Sequence, residues 1–122
     1  MEELRLEPPS LLNGSHNTSL FNSGNTDLDA WLKQRALSNQ RNGASRTYVV
    51  ADQMHRVVGY YALASGSIGA VEAPGWLRRN MPNPIPIALL GRLAIDQEYQ
   101  SKGLGTALLK DAVIRAQAAS QI

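Results

Sequence analysis

The sequence predicts an α+β domain with one mixed sheet flanked by helices, and three observations carry that expectation. Ile85, Ile87, Leu89, Leu93 and Ile95 fall on one parity, the period of a half-buried strand. Leu104, Leu108, Ala112 and Ala116 recur every four residues, with Leu109 and Val113 beside them, the stripe of an amphipathic helix. Upstream, the β-branched and aromatic runs Thr47–Ala51 and Val57–Leu63 flank a polar Asp52–Arg56 turn, which reads as a hairpin. The element order is strand, helix, strand, strand, strand, helix, within one domain spanning 1–122.

Taken in order, Leu4 and Leu6 alternate with charged residues until Pro8-Pro9 stops the run, so a short edge strand is expected there. Asn13 to Asn25 is rich in Asn, Ser and Gly and reads as a loop, with His16 as a loop residue. Asn25, Thr26 and Asp27 offer N-caps for a helix whose apolar face is Leu28, Trp31, Leu32 and Ala36, with Gly43 as its C-cap. In the hairpin, His55 reads as a turn residue. Tyr60 and Tyr61 alternate faces, so one is expected to pack and the other to meet solvent or substrate. Ser65 to Ala73 reads as small and flexible, Ala73–Asn80 as holding a helical turn, and Pro82, Pro84 and Pro86 as an extended approach to the central strand.

Composition bounds the chemistry. The chain has 122 residues, enough for one ordinary core. It has no cysteine, which excludes disulfides and Cys-based zinc sites, and no metal site is expected. No apolar run approaches a membrane span and the acidic N-terminus does not resemble a signal peptide, so a cytoplasmic location without membrane attachment is expected. The net charge of +2 hides an asymmetry. Up to Ala30 there are five acids against Arg5; from Trp31 onward eleven Lys or Arg face five acids. A basic main body suits a coenzyme with several phosphates and equally a nucleic acid, and charge alone does not rank the two.

The stretch between the last strand and the last helix carries the sharpest signal. Gln100-x-x-Gly103-x-Gly105 lets the backbone bend tightly and approach a ligand. The free N–H groups of a helix's first turn, with the helix dipole, then favour an anion. The loop does not match a Walker P-loop, because Thr106 has no Lys before it. Nor does it match a Rossmann fingerprint, because the third glycine is absent. Spacing alone leaves open whether the loop binds an anion or merely connects strand to helix.

Leu-Gly-Arg-Leu-Ala-Ile-Asp (90–96) followed by Gln-x-x-Gly-x-Gly resembles motif A of the GNAT N-acetyltransferases. The resemblance implies a GNAT fold and acetyl-CoA as co-substrate. Leu93, Ala94 and Ile95 would contact pantetheine through main chain. Gln100, Ser101, Lys102, Gly103, Leu104 and Gly105 would hold the pyrophosphate, with Thr106 at the helix start. In that family further strands and a helix follow, with a Phe-Tyr motif whose Tyr often protonates the CoA thiolate. This sequence has no residue at that position, so no catalytic residue is identified and the C-terminal strands of the fold are expected to be lacking here. The same expectation leaves the central strand with an unpaired edge, a template for self-association.

Phe21–Asn25 leading into Leu28-Asp29-Ala30-Trp31-Leu32 and Arg35-Ala36-Leu37 resembles the opening of GNAT toxins of bacterial toxin–antitoxin pairs, as do Gly43–Val49 and Leu89–Ala94. Asn22 departs from their usual Asp. The resemblance implies acetylation of the α-amino group of aminoacyl-tRNA, a ribbon–helix–helix antitoxin and a homodimer. Lys33, Arg35, Arg78, Arg79 and Arg92 are the candidates for tRNA phosphates. Asp96 and Glu98 are read as turn and loop carboxylates facing water rather than as a catalytic base. Two alternatives stay open: a GNAT acting on a small amine or protein N-terminus, and a non-catalytic module that binds CoA or an antitoxin.

Overall fold

In the computed structural model of the chain, residues 6–69, 74–79 and 84–120 are described. They form β1 (Ser10–Leu11), α1 (Thr26–Gln34), α2 (Ala36–Arg41), β2 (Arg46–Ala51), β3 (Val57–Ile68), α3 (Gly75–Arg78), β4 (Ile85–Ile95), a single 3-10 turn (Gln97–Tyr99) and α4 (Leu104–Ser120). The sheet order is β1-β2-β3-β4 and every ladder is antiparallel. Among the described residues the parallel pairing of a mixed sheet is limited to an isolated bridge between Asn17 and Arg56.

Helices cover both faces of the sheet, because its strands are apolar on both sides. On one face Phe21, Leu32, Ala36, Val49, Val57, Tyr60 and Ala94 form a cluster, with Leu28, Trp31 and Leu37 packed against it. On the other, Tyr48, Val50, Val58, Tyr61, Ile95, Leu108 and Ala112 bury the inner stripe of α4. Tyr60 and Tyr61 are therefore both 0% exposed, on opposite faces. The expectation that one would reach solvent or substrate is corrected, since a doubly covered sheet leaves neither parity free. Each phenol keeps a partner: Tyr60 donates to Leu28 O at 2.7 Å, and Tyr61 donates to the Asp111 carboxylate.

α1 begins where expected. Asn25 Oδ1 accepts from Leu28 N at 3.1 Å, satisfying one of the four orphan donors of the first turn. The helical run breaks at Arg35, whose φ of −121° departs from helical values, so α1 and α2 are separate helices. Gly43, at φ +84°, follows the end of α2 in the left-handed conformation that glycine supplies without a Cβ clash.

Three further expectations change. The edge strand lies at Ser10–Leu11, after Pro8-Pro9 rather than before it. Leu6 and Glu7 form no strand, although Glu7 N donates to Ala51 O at 3.2 Å, and Leu4 lies outside the described residues. Ser65–Ile68 is not a flexible segment but the end of β3, paired with Ile85–Ala88. Small residues suffice there because the ladder satisfies the backbone whatever the side chains. Finally, β4 does not keep one parity. Ala62 pairs with Arg92 but Leu63 pairs with Leu90, so Gly91 is the extra residue of a β-bulge. The bulge moves Ile85, Ile87 and Leu89 to the face shared with Arg92 and Ala94. Leu93 and Ile95 go to the α4 face.

Candidate functional site

The open edge of β4 and the N-terminus of α4 meet at one place, and three sequence features put them there. Asp96 ends the strand and caps the 3-10 turn: its Oδ1 accepts from Glu98 N at 3.0 Å and its Oδ2 from Asn22 N at 3.1 Å. Gln100 then folds back, its Nε2 donating to Ile95 O at 2.8 Å and to Ser23 O at 2.9 Å. Ser23 is in turn held by Asp29, which accepts from the Ser23 hydroxyl at 2.7 Å and from its N–H at 3.0 Å. The 22–25 loop, the strand end and the glycine loop are thus one hydrogen-bonded unit.

The phase of the β3–β4 ladder decides which main-chain groups are free. Asp96 N donates to Val58 O at 2.8 Å. In an antiparallel ladder alternate residues share that orientation, so Ala94 and Arg92 address their N–H and C=O to β3. Leu93 and Ile95 address theirs to the open edge. Ile95 O is occupied by Gln100. That leaves Leu93 N–H, Leu93 C=O and Ile95 N–H without a ladder partner among the described residues. A cleft of about 300 Å³ runs along this edge, walled by Ser23, Asn25, Leu28, Leu93, Ala94, Ile95 and Gln100. Of the three residues expected to offer main chain to a ligand, Leu93 and Ile95 are oriented to do so. Ala94 forms wall, its main chain being committed to β3.

At the helix start, Ala107 N donates to Gly103 O at 3.1 Å, which makes Gly103 the N-cap. Gly103 has no side chain to accept from the first turn, so the N–H groups of Leu104, Gly105 and Thr106 are uncapped, unlike those of α1. Ser101 and Gly103 have φ of +64° and +83°, a sharply turned loop, and Lys102 between them is exposed. Uncapped donors, a helix dipole and a lysine are groups that can hold an anion. Gly105 sits against the strand instead: a Cβ on it would stand 3.8 Å from Ile95 Cγ1. Gln100 is a strut rather than a free ligand, both of its contacts being internal.

Of the basic candidates, the structure brings two together. Arg92 lies with its guanidinium carbon 4.3 Å from the Trp31 ring centroid, and Trp31 stacks on Tyr60 at 6.0 Å. Arg92, Arg35 and Trp31, with Asp27, Ala30, Gln34 and Asn39, line a polar cavity of about 390 Å³. Lys33 is exposed but does not line it, being set on another side of α1. Arg79 is exposed just past α3; of Arg78 the backbone alone lies among the described positions. Trp76 beside them is 76% exposed rather than packed on the core. Glu98 is a surface carboxylate that pairs with Arg56 at 3.4 Å. Glu98 thus meets water, whereas Asp96 departs from the expectation of a water-facing carboxylate: it is buried and spends its oxygens on backbone N–H groups that only the 22–25 loop and the 3-10 turn bring to it. The Trp31 platform and the Asp29–Ser23–Gln100 relay were not read from the sequence. Asp29 and Ser23 are only six residues apart, but the partners that make each arrangement, Gln100 for Ser23 and Arg92 for Trp31, lie 77 and 61 residues away, so neither has a local signal.

The described residues contain no helix long and apolar enough to cross a membrane. Comparison with known proteins places the geometry. The acetyltransferase (GNAT) domain family matches residues 44–122. The tRNA-acetylating toxin of Mycobacterium tuberculosis (strain ATCC 25618 / H37Rv) is 48% identical over 115 residues, covering 93% of this chain and 69% of that protein. Among solved structures, AtaT complexed with acetyl-methionyl-tRNAfMet superposes with a TM-score of 0.82 at 26% identity, covering 95% of this chain and 71% of AtaT. A mutant AtaT bound to the C-terminus of the antitoxin AtaR and acetyl-CoA gives a TM-score of 0.78 at 26% identity, over 95% of this chain and 68% of that one.

Proposed function

We propose that this chain, which belongs to the GNAT acetyltransferase family, serves a toxin that transfers acetyl from acetyl-CoA to the α-amino group of aminoacyl-tRNA and so blocks translation. The observation that carries the reading is the 48% identity, over 93% of the chain, to a tRNA-acetylating toxin. The site geometry supports it. The uncapped first turn of α4, with Lys102 and the Ser101–Gly103 loop, suits the pyrophosphate of CoA. The outward C=O of Leu93 and N–H of Ile95 suit the amide groups of pantetheine laid along the β4 edge, which leaves the outward N–H of Leu93 for the reacting carbonyl. The cations Arg92 and Arg35, with Lys33 and Arg79 exposed elsewhere and Arg78 in the sequence of α3, supply the charge a tRNA needs.

The chemistry asks little of a protein base. The amine attacks the thioester carbonyl; a C–N bond forms, the C–S bond breaks, sulfur leaves as thiolate and the nitrogen gives up a proton. The amine of an aminoacyl ester is more acidic than a lysine side chain, so a neutral nucleophile is available near pH 7. Holding amine and thioester together supplies much of the rate. The outward N–H of Leu93 is the donor on hand for the oxyanion. A ribbon–helix–helix antitoxin, assembly as a homodimer and a cytoplasmic location complete the proposal.

The test is transfer of labelled acetyl from acetyl-CoA to a total aminoacyl-tRNA pool by the intact protein, with free amines and protein N-termini as competing acceptors. Label on aminoacyl-tRNA is the expected result. Label confined to a small amine or a protein N-terminus overturns the tRNA substrate.

A further inference from the structure

No contact among the described residues requires a glycine at position 91. It lies inside β4, where glycine adds backbone entropy to lose and no side chain to pack. Among the glycines with positive φ are Gly24, Gly43 and Gly103; Gly91 is not one of them. As the extra residue of the bulge it holds a conformation open to other L residues. Crowding does not require it either, since a Cβ built there meets nothing within 4 Å. At Gly59, by contrast, a Cβ would stand 3.0 Å from Ile95 Cδ1 and 3.1 Å from Leu108 Cδ1. What remains for a strand glycine is the close approach of a ligand or of another backbone.

Its position says which molecule. If the pyrophosphate sits at Gly103–Thr106 and pantetheine runs from Ile95 to Leu93, the acyl end lies at the next positions along β4, Arg92 and Gly91. Arg92 is held on Trp31 beside Arg35, so a cationic wall flanks the bare backbone. We infer that Gly91 is a specificity-determining position: its missing side chain leaves the gap through which the aminoacylated 3′ end of a tRNA, a bulky ester carrying ribose and phosphate, reaches the thioester. This rests on the function proposed above.

The experiment compares wild-type, Gly91→Ala and Gly91→Val forms of the intact protein. Each is measured for thermal midpoint, acetyl-CoA Kd, and kcat/KM on methionyl-tRNA and on methionine methyl ester. Both variants are expected to keep the melting temperature and the acetyl-CoA Kd. On tRNA, kcat/KM is expected to fall roughly tenfold for Ala and roughly a hundredfold for Val, the scale of a misplacement of about 1 Å. The loss should appear in kcat for tRNA, as a misplaced acceptor requires, with the small ester affected less than about threefold. Full activity of Gly91→Val on tRNA overturns the inference. So does an equal loss on tRNA and ester, or a loss of acetyl-CoA binding, because either assigns Gly91 to strand geometry. A wild-type protein that acetylates the ester but not the tRNA overturns the tRNA reading itself, and is told apart because it needs no variant.

Discussion

The guanidinium of Arg92 is layered on the ring of Trp31, 4.3 Å from its centroid, so a cation of β4 is held by the first helix. Tyr60 backs the same ring and is anchored through its hydroxyl to Leu28 O. A flexible arginine is thereby held in one place at the mouth of the site, with less rotamer freedom to lose on binding. Arg92→Ala is expected to weaken tRNA binding roughly tenfold at moderate salt and to lower the slope of log K against log salt by about one phosphate contact. Trp31→Leu should weaken binding in the wild type but not in the Arg92→Ala background, a coupling of about 1 kcal/mol. Additive effects in that double-mutant cycle would show that the stack does not position the cation.

The anion site at α4 makes a separate prediction. Lys102→Glu is expected to reduce acetyl-CoA affinity roughly tenfold at low salt, less as salt rises, because the charge is exposed. Gly103→Ala places a Cβ at φ +83° and should cost about 1 kcal/mol of stability beyond its effect on the ligand. Calorimetry with acetyl-CoA and with a pantetheine fragment lacking the pyrophosphate separates the two effects. If Lys102→Glu weakens both ligands equally, the loop does not hold the pyrophosphate.

Asp96 is the acid nearest the strand end, and its oxygens accept from Asn22 and Glu98 N–H. Asp96→Ala is expected to destabilise the fold by about 2 kcal/mol by orphaning these donors. Asp96→Asn, which keeps one acceptor oxygen, should fold and leave the pH dependence of acetyl transfer where it was. A folded Asp96→Asn protein whose transfer is abolished would restore the carboxylate as a base.

Tyr60 links stability to alkaline pH. Burial pushes its pKa up from 10.0 to about 12, with Asp29 adding to the rise and Arg92 opposing it. Between those values the folded state holds a proton that the unfolded chain has released. Stability is therefore complete below pH 10 and falls as pH rises toward 12. Tyr60→Phe should lose the hydrogen bond to Leu28 O, for about 1 kcal/mol near neutrality, and flatten that alkaline slope. Denaturant unfolding from pH 8 to 11.5 measures both, and an unchanged slope in Tyr60→Phe would assign the alkaline loss to other groups.

The sequence by itself determined the parts whose causes are local. Asn25 caps α1 because its side chain reaches three residues along, the Leu104, Leu108, Ala112 spacing sets the buried stripe of α4, and the hairpin follows from two β-rich runs around a polar turn. Motif A places the glycine loop at the start of α4, since a glycine N-cap and an uncapped first turn are written in consecutive residues. The tertiary structure decided what depends on partners distant in the chain. Pairing with β3 created the bulge at Gly91 and swapped the parity of β4, and the phase of that ladder turned Leu93 and Ile95 outward and Ala94 inward. Helices on both faces buried Tyr60 and Tyr61 alike. The stack of Arg92 on Trp31 joins residues 61 positions apart, from β4 and α1. Periodicity shows that a strand has two faces, but hydrogen bonds to a neighbour fix which edge of it is free, and here the free edge is where the chemistry is proposed to happen.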